Sequence, residues 1–261
     1  MIRLYTFTIS HFAEKARWSL DYKGIPYQEK RLVPGSHIPI VKRIAPSTFV
    51  PVLQDAGRVV QGSSAIIDYV DEHSPEPPLT PADPSERQRS LELERWLDCE
   101  LGERVRRVFY FHALNHRDLV IRLFTQGGPW WGRLICRVGF PMIANRIRQT
   151  YEITPENVAL DMDRVTAAYE RLDTLLENCR YLVGDRFSRA DLTLAALAAP
   201  TWRPPEHSTY WPPDELYPHE IKAFWARLAK TRTREHILRM YREHRLPKPD
   251  ARGPSAGTAA A

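Results

Sequence analysis

Two places in the chain put serine hydroxyls where helices begin. Ser10 precedes one amphipathic run, and Gly62-Ser63-Ser64 opens another. A helix start presents unpaired N–H groups and the positive end of the helix dipole, so each place favours an anion. At Ser63 and Ser64 this reads as a carboxylate site. By residue type alone, Ser10 is a plain N-cap. His11 beside it reads as a surface histidine, with a second donor role as the alternative. His112 and His116 sit four apart on a helical stretch, a spacing that metals use. They have no evident third ligand, and the zinc-protease glutamate is missing between them, so no metal is expected. Cys99, Cys136 and Cys179 have no short spacing, which excludes a disulfide framework and a CxxC site and suits a reducing cytoplasm. There is no GxGxxG and no P-loop.

The elements that must position these residues follow from patterning. Residues 2–7 read as a buried strand, His11 to Lys23 as a helix closed by Gly24, and Tyr27 to Leu32 as a second strand. A short helix is expected near Pro39–Ile44. Thr48 to Leu53 and Arg58 to Val60 flank Asp55-Ala56-Gly57 as a hairpin, and a helix follows from Ser63 to His73. The order β-α-β-α-β-β-α implies a parallel pair extended by antiparallel strands. Pro75 to Pro84 holds five prolines in ten residues, which makes a stiff linker.

Beyond the linker the pattern is helical. One long amphipathic helix is expected from Ser85 to about Asn115. Residues 127–155 begin irregularly and then turn apolar and basic, with an ordered insert over a cleft preferred to a lid. Thr154-Pro155 opens a helix to about Asn178, as N-cap and N1. Ser188 and Asp191 resemble a capping box. A final basic helix is expected from Glu220 to about His244, with a disordered tail from Ala251.

The net charge of +5 is unevenly placed. Residues 104–150 carry nine arginines and one acid, net +8, between acidic segments. The plain reading is a solvated helix face paired with those segments, and the sharper one is an anionic ligand, a lipid surface or nucleic acid. Leu134 to Ala144, the longest apolar stretch, is broken by Arg137 and Pro141, so no bilayer span is expected. No N-terminal targeting segment is visible.

Three segments carry a family resemblance. Ser10-His11-Phe12-Ala13-Glu14-Lys15-Ala16-Arg17 resembles the Ser-Pro-Phe-x-x-Lys-x-Arg opening of serine-type glutathione transferases. Val50-Pro51-Val52-Leu53 with Ser63-Ser64-Ala65-Ile66-Ile67-Asp68-Tyr69 resembles that superfamily's Val-Pro-x-Leu … Glu-Ser-x-Ala-Ile-x-x-Tyr signature. Gly184 to Asp191 resembles the Gly-x-x-x-Ser-x-Ala-Asp start of its buried helix. In order and spacing the set is similar to the soluble glutathione S-transferase superfamily over roughly residues 2–200. The resemblance implies a thioredoxin-like N-terminal domain (1–78), a linker (79–84) and an all-helical C-terminal domain (85–246) before the tail (247–261). It also implies a cytoplasmic homodimer with a detoxifying role, and no nucleic-acid partner.

What the resemblance implies for chemistry is a glutathione thiolate held for attack on a small hydrophobic electrophile, by substitution, addition, dehalogenation or isomerisation. Ser10 would stabilise the thiolate, with Thr6 and Tyr5 as outside candidates. Val50 and the cis-proline Pro51 would pair with the cysteinyl backbone, Ser63 and Ser64 would hold the γ-glutamyl end, and Lys42 or Arg43 would reach the glycyl carboxylate. Two positions depart from the pattern: Gly62 replaces the acid before the serine, where Gln61 is the substitute, and Phe49 replaces a polar residue. These departures leave a second reading, a non-catalytic binding or scaffold protein on the same fold with a weakened glutathione site. The electrophile pocket is expected from His11, Arg106, Phe109, Tyr110 and Ala113. The arginine block tilts the electrophile toward an acid.

Overall fold

The computed structural model describes residues 1–245. The tail expected from Ala251 lies outside the described residues.

Strands β1 (Ile2–Phe7), β2 (Tyr27–Leu32), β3 (Val52–Asp55) and β4 (Arg58–Gln61) form one sheet in the order β2-β1-β3-β4. β1 runs parallel to β2, pairing Ile2 with Tyr27, and antiparallel to β3, pairing Leu4 with Leu53. The crossover between β1 and β2 is helix α1 (His11–Tyr22). Ala56 and Gly57 both take positive φ and close the β3–β4 hairpin, the two-residue turn that matches strand twist. Helices α2 (His37–Lys42) and α3 (Ser63–His73) complete this half. α2 begins two residues earlier than the sequence suggested, with Pro39 inside its first turn.

The proline-rich linker is clipped down. Asp71 on α3 accepts from Leu79 N at 3.1 Å and Thr80 N at 2.9 Å, and Leu79 is buried. Asp83 then caps helix α4 (Pro84–Leu97) with Pro84 at N1. The single long helix expected from Ser85 to Asn115 is interrupted. A π-helical turn, Asp98–Glu103, separates α4 from α5 (Arg104–Ala113). Gly102 lies in that turn, so close to α1 that a Cβ would come within 2.9 Å of Phe12 Cζ and 3.0 Å of Leu197 Cδ2. A π turn makes room for the close approach by inserting a residue into the helical register.

Helix α6 (Arg117–Thr125) follows α5, and helix α7 (Gly132–Thr150) gives residues 127–155 an ordered body. α8 (Pro155–Leu175) starts at Thr154 and Pro155 as the sequence reads. α9 (Arg189–Trp202) is buried from Arg189 to Thr201 and forms the axis of the helical half. Its start is fixed by Asp191, which accepts from the Ser188 backbone at 3.1 Å and the Ser188 hydroxyl at 2.9 Å. The final basic segment is two helices, α10 (His219–Leu228) and α11 (Arg232–His244), rather than one. Thr231 caps the second by accepting from Arg234 N at 3.2 Å.

Candidate functional site

α1 starts where β1 ends. The Ser10 hydroxyl accepts from Ala13 N at 3.2 Å, as an N-cap does. That leaves its O–H free to donate, since a hydroxyl carries one donor and two acceptor lone pairs. Ser10 faces a cavity of about 600 Å³ between the sheet half and the helical half. One wall is Phe7, Ile9, Ser10, His11 and Phe12 from β1 and α1. The opposite walls are Arg106, Phe109 and Tyr110 from α5, and Ile143, Arg146 and Ile147 from α7. Thr48, Phe49 and Val50 form one rim.

Of the residues singled out in the sequence, Ser10, His11, Val50, Arg106, Phe109 and Tyr110 come together here. Ala113 does not: it packs in the helical core. His11 is a correction of another kind. It is 4% exposed rather than on the surface, and burial, then the Arg106 charge, lowers its pKa to about 3. Its imidazole is therefore neutral, and its Nε2 is buried with no hydrogen-bond partner among the described residues. Arg106 lies 4.0 Å from the Tyr151 ring centroid and 5.5 Å from that of Phe12, a cation held by aromatic faces in an otherwise apolar wall. Tyr110 stacks on Tyr151 at 5.9 Å, and burial pushes the Tyr110 hydroxyl well up, keeping it a neutral donor.

The Val50–Pro51 peptide is cis, as the motif implied. Among the described residues the Val50 N–H and C=O make no backbone hydrogen bond, so both are open to an extended ligand. Gln61 braces this loop. Its Nε2 donates to Ser47 O at 2.9 Å and Phe49 O at 2.8 Å, and its Oε1 accepts from Ser47 N at 3.2 Å. Its amide is thus committed to the backbone of this loop. Gly62 itself has φ 99°, which side-chain-bearing residues rarely adopt. It caps α3 without a side-chain hydrogen bond, so the N–H groups at Ser63 and Ser64 are uncapped.

The Ser64 hydroxyl points away from the cavity, donating to Asp98 at 3.1 Å and accepting from Lys15 at 3.3 Å. Ser63 is buried at the same helix start. Pro51, Gln61, Ser63, Ser64 and Lys42 do not line the cavity, and Lys42 is exposed at the end of α2. Thr6 bonds Glu29 at 2.9 Å and Tyr5 bonds Gln54 at 3.4 Å, so neither hydroxyl reaches the cavity. Neither His112 nor His116 joins a metal-like cluster among the described residues.

The ordered insert expected over the cleft within 127–155 is helix α7, but sequence reasoning named none of the side chains with which it lines the cavity. Its Met142, Ile143, Arg146, Ile147 and Thr150 supply a whole wall. The spacing of Ile143 and Ile147 at i, i+4 was the available signal. Arg189 was also missed as a tie: it bonds Glu94 at 2.6 Å, Asp68 at 2.6 Å and Thr80 at 3.0 Å, joining α9 to α4, α3 and the linker.

Family models described as Glutathione S-transferase, N-terminal domain and C-terminal domain match residues 4–78 and 134–231. Glutathione S-transferase Z1 of Arabidopsis thaliana is 38% identical over 199 residues, 74% of either chain. A maleylpyruvate isomerase of Ralstonia sp is 30% identical over 122 residues, 46% of this chain and 53% of that one, so that match spans about half of the relative. The theta class glutathione S-transferase of Xanthomonas axonopodis pv. citri, solved with glutathione bound, has TM-score 0.56 at 22% identity. It covers 91% of this chain and 96% of that one, which shows a common fold. A four-stranded mixed sheet with an open cis-proline rim, followed by helices, and a relative aligned over three quarters of its length place the chain in the glutathione S-transferase family.

Proposed function

We propose that the protein is a serine-type glutathione transferase: Ser10 donates a hydrogen bond that stabilises the glutathione thiolate, whose proton goes to solvent, and the cavity above it presents an electrophile with an anionic group. The observation that carries this is the Ser10 hydroxyl, fixed by its own cap bond yet facing the cavity at the positive end of α1. A thiol with a pKa near 8.5 is only a few per cent ionised at neutral pH, and a hydroxyl donor with a helix start favours the anion. The Val50 backbone would pair with the cysteinyl unit, and the uncapped start of α3 would take the γ-glutamyl carboxylate.

Arg106 supports an acidic electrophile. Its Nε is buried with no partner among the described residues, and the residue lines the cavity with Arg146. A guanidinium over aromatic faces in an apolar wall keeps its charge and gains most from a carboxylate. The Ralstonia relative is named for an acid substrate, maleylpyruvate, and this agrees with Arg106. Substitution, addition, dehalogenation and isomerisation all begin with thiolate attack, so the proposal extends to that step. The protein would work as a homodimer, which its mass in solution tests.

Isothermal calorimetry with glutathione decides the reading. Heat saturating in the millimolar range, with turnover of an acidic electrophile that falls in Arg106→Ala, is expected. No heat at millimolar glutathione would defeat it and favour the second reading, a non-catalytic scaffold, to which Gly62 in place of the usual acid already points.

A further inference from the structure

Helix α7 has two apolar faces, and among the described residues only one is covered. Cys136, Phe140, Ile143 and Ala144 are buried against the body of the protein. On the other side Leu134, Val138 and Met142 are 63%, 77% and 74% exposed. Their i, i+4, i+8 spacing makes a continuous stripe about 12 Å long. Trp130, 89% exposed, stands just before the helix. A stripe of this kind ending in an exposed tryptophan is unusual on a protein surface and marks an interaction site.

The charge around the stripe selects the partner. No acidic residue occurs between Asp118 and Glu152, whereas five arginines do. Arg133 and Arg137 flank the stripe and are exposed. Arg137 has only a 3.8 Å contact with exposed Asp118, and Arg133 has no ion pair among the described residues. A second copy meeting this face about a two-fold axis would set arginine against arginine. An apolar strip with an interfacial tryptophan and flanking arginines instead suits the boundary of an anionic lipid layer, where the apolar side chains enter the acyl region and the guanidiniums meet phosphate. No helix among the described residues is long and apolar enough to cross a membrane.

We propose that the outer face of α7, with Trp130, docks the protein onto an anionic bilayer surface. Met142 belongs both to the stripe and to the cavity lining, so docking brings the cavity mouth to the lipid boundary. Vesicle binding needs neither glutathione nor Ser10, so its outcome is separate from that of the glutathione calorimetry.

The test is co-sedimentation of the full chain with vesicles of phosphatidylcholine and phosphatidylglycerol in equal parts, compared with phosphatidylcholine alone. Wild type should pellet with the mixed vesicles, lose binding as salt rises, and show a tryptophan blue shift that Trp130→Phe removes. Leu134→Asp with Val138→Asp should cut partitioning roughly tenfold or more, and Arg133→Gln with Arg137→Gln by a similar factor at low salt. Thermal unfolding close to wild type would show these surface variants to be folded. Failure of wild type to bind the mixed vesicles, or equal binding to phosphatidylcholine alone, overturns the proposal without recourse to any variant. So does a Leu134→Asp, Val138→Asp protein that changes from dimer to monomer in sedimentation velocity while vesicle binding is unaltered.

Discussion

Replacing Ser10 by alanine removes two interactions that can be measured apart. The first is the cap: the hydroxyl accepts from Ala13 N at 3.2 Å, and loss of such a bond costs about 1 kcal/mol of stability. The second, which rests on the proposed function, is the hydrogen bond Ser10 would donate to the glutathione thiolate. A hydrogen bond to a charged group contributes about 1.5–3 kcal/mol, equivalent to about 1–2 pKa units at about 1.4 kcal/mol per unit. If that bond brings the bound thiol from about 8.5 to about 6.5–7.5, the alanine variant should titrate near 8 or above. At pH 7 this is a fall in thiolate from roughly a quarter to three-quarters of the bound glutathione to a few per cent. The assay is ultraviolet thiolate absorbance against pH at saturating glutathione, with urea unfolding of the same samples. Ser10→Thr, which keeps cap and donor, should restore both signals. A Ser10→Ala protein that loses the cap stability yet titrates at the wild-type pH would refute the thiolate role and leave Ser10 a structural cap.

Other consequences follow from neighbouring geometry. Gln61→Ala strips three hydrogen bonds from the Ser47–Phe49 loop and should cost about 1–3 kcal/mol, with the glutathione KM rising more than kcat falls. Gly102→Ala drives a methyl to within 2.9 Å of Phe12 and 3.0 Å of Leu197, and overpacking of this kind should cost about 1–3 kcal/mol in a urea titration. Burial lowers His11 from 6.5 to about 3 and His207 to about 4, so the unfolded chain binds these protons and the folded chain does not. Their contribution is full above 6.5 and is lost as pH falls toward 3–4. Tm should therefore fall across that window, and less steeply in His11→Gln. Glu14 extends the loss into stronger acid: burial opposes its ionisation, but Arg245, His207 and Arg17 together hold its pKa well below the usual carboxylate range.

The sheet half was readable because its signals are local. Strand runs, a glycine-containing hairpin turn and two serine-marked helix starts each depend on residues close in sequence, and all but β3 fell within a residue or two of their place; β3 runs Val52–Asp55 rather than Thr48–Leu53, with Thr48, Phe49 and Val50 forming the rim before the cis-proline. The Ser188–Asp191 start of α9 was readable for the same reason. What escaped depends on distant contacts. The π turn at Asp98–Glu103 responds to Phe12 and Leu197, which are remote in the chain. The break at Thr231 also escaped, because a basic amphipathic run gives little warning of a new cap. His11 was misplaced because a histidine at a helix start is ordinarily solvated, and its burial follows from the close packing of the π turn on α1. The cavity residues on α1 and α5 were within reach of motif and periodicity, and an ordered cover over the cleft was expected in 127–155, but which α7 side chains line the cavity depends on contacts remote in the chain.

α1 explains why the cavity keeps its shape. It is buried on nearly every side, including charged Glu14, Lys15 and Arg17. Lys15 meets Glu94 at 3.0 Å and Asp98 at 2.7 Å on the helical half, and Arg245 meets Glu14 at 2.8 Å. Arg17 bonds Glu29 on β2 and the Phe7 carbonyl at the end of β1. Buried pairs of this sort add little net stability over apolar packing, but removing one partner strands a charge, so sliding either half against α1 is costly. The Lys15, Glu14 and Arg17 bonds therefore set the position of the helix whose first turn bears Ser10 and His11. The N-terminal end of α1 is thus held by charges along the helix as well as by its cap, so the Ser10 hydroxyl, whose oxygen accepts from Ala13 N, keeps a fixed place at the cavity.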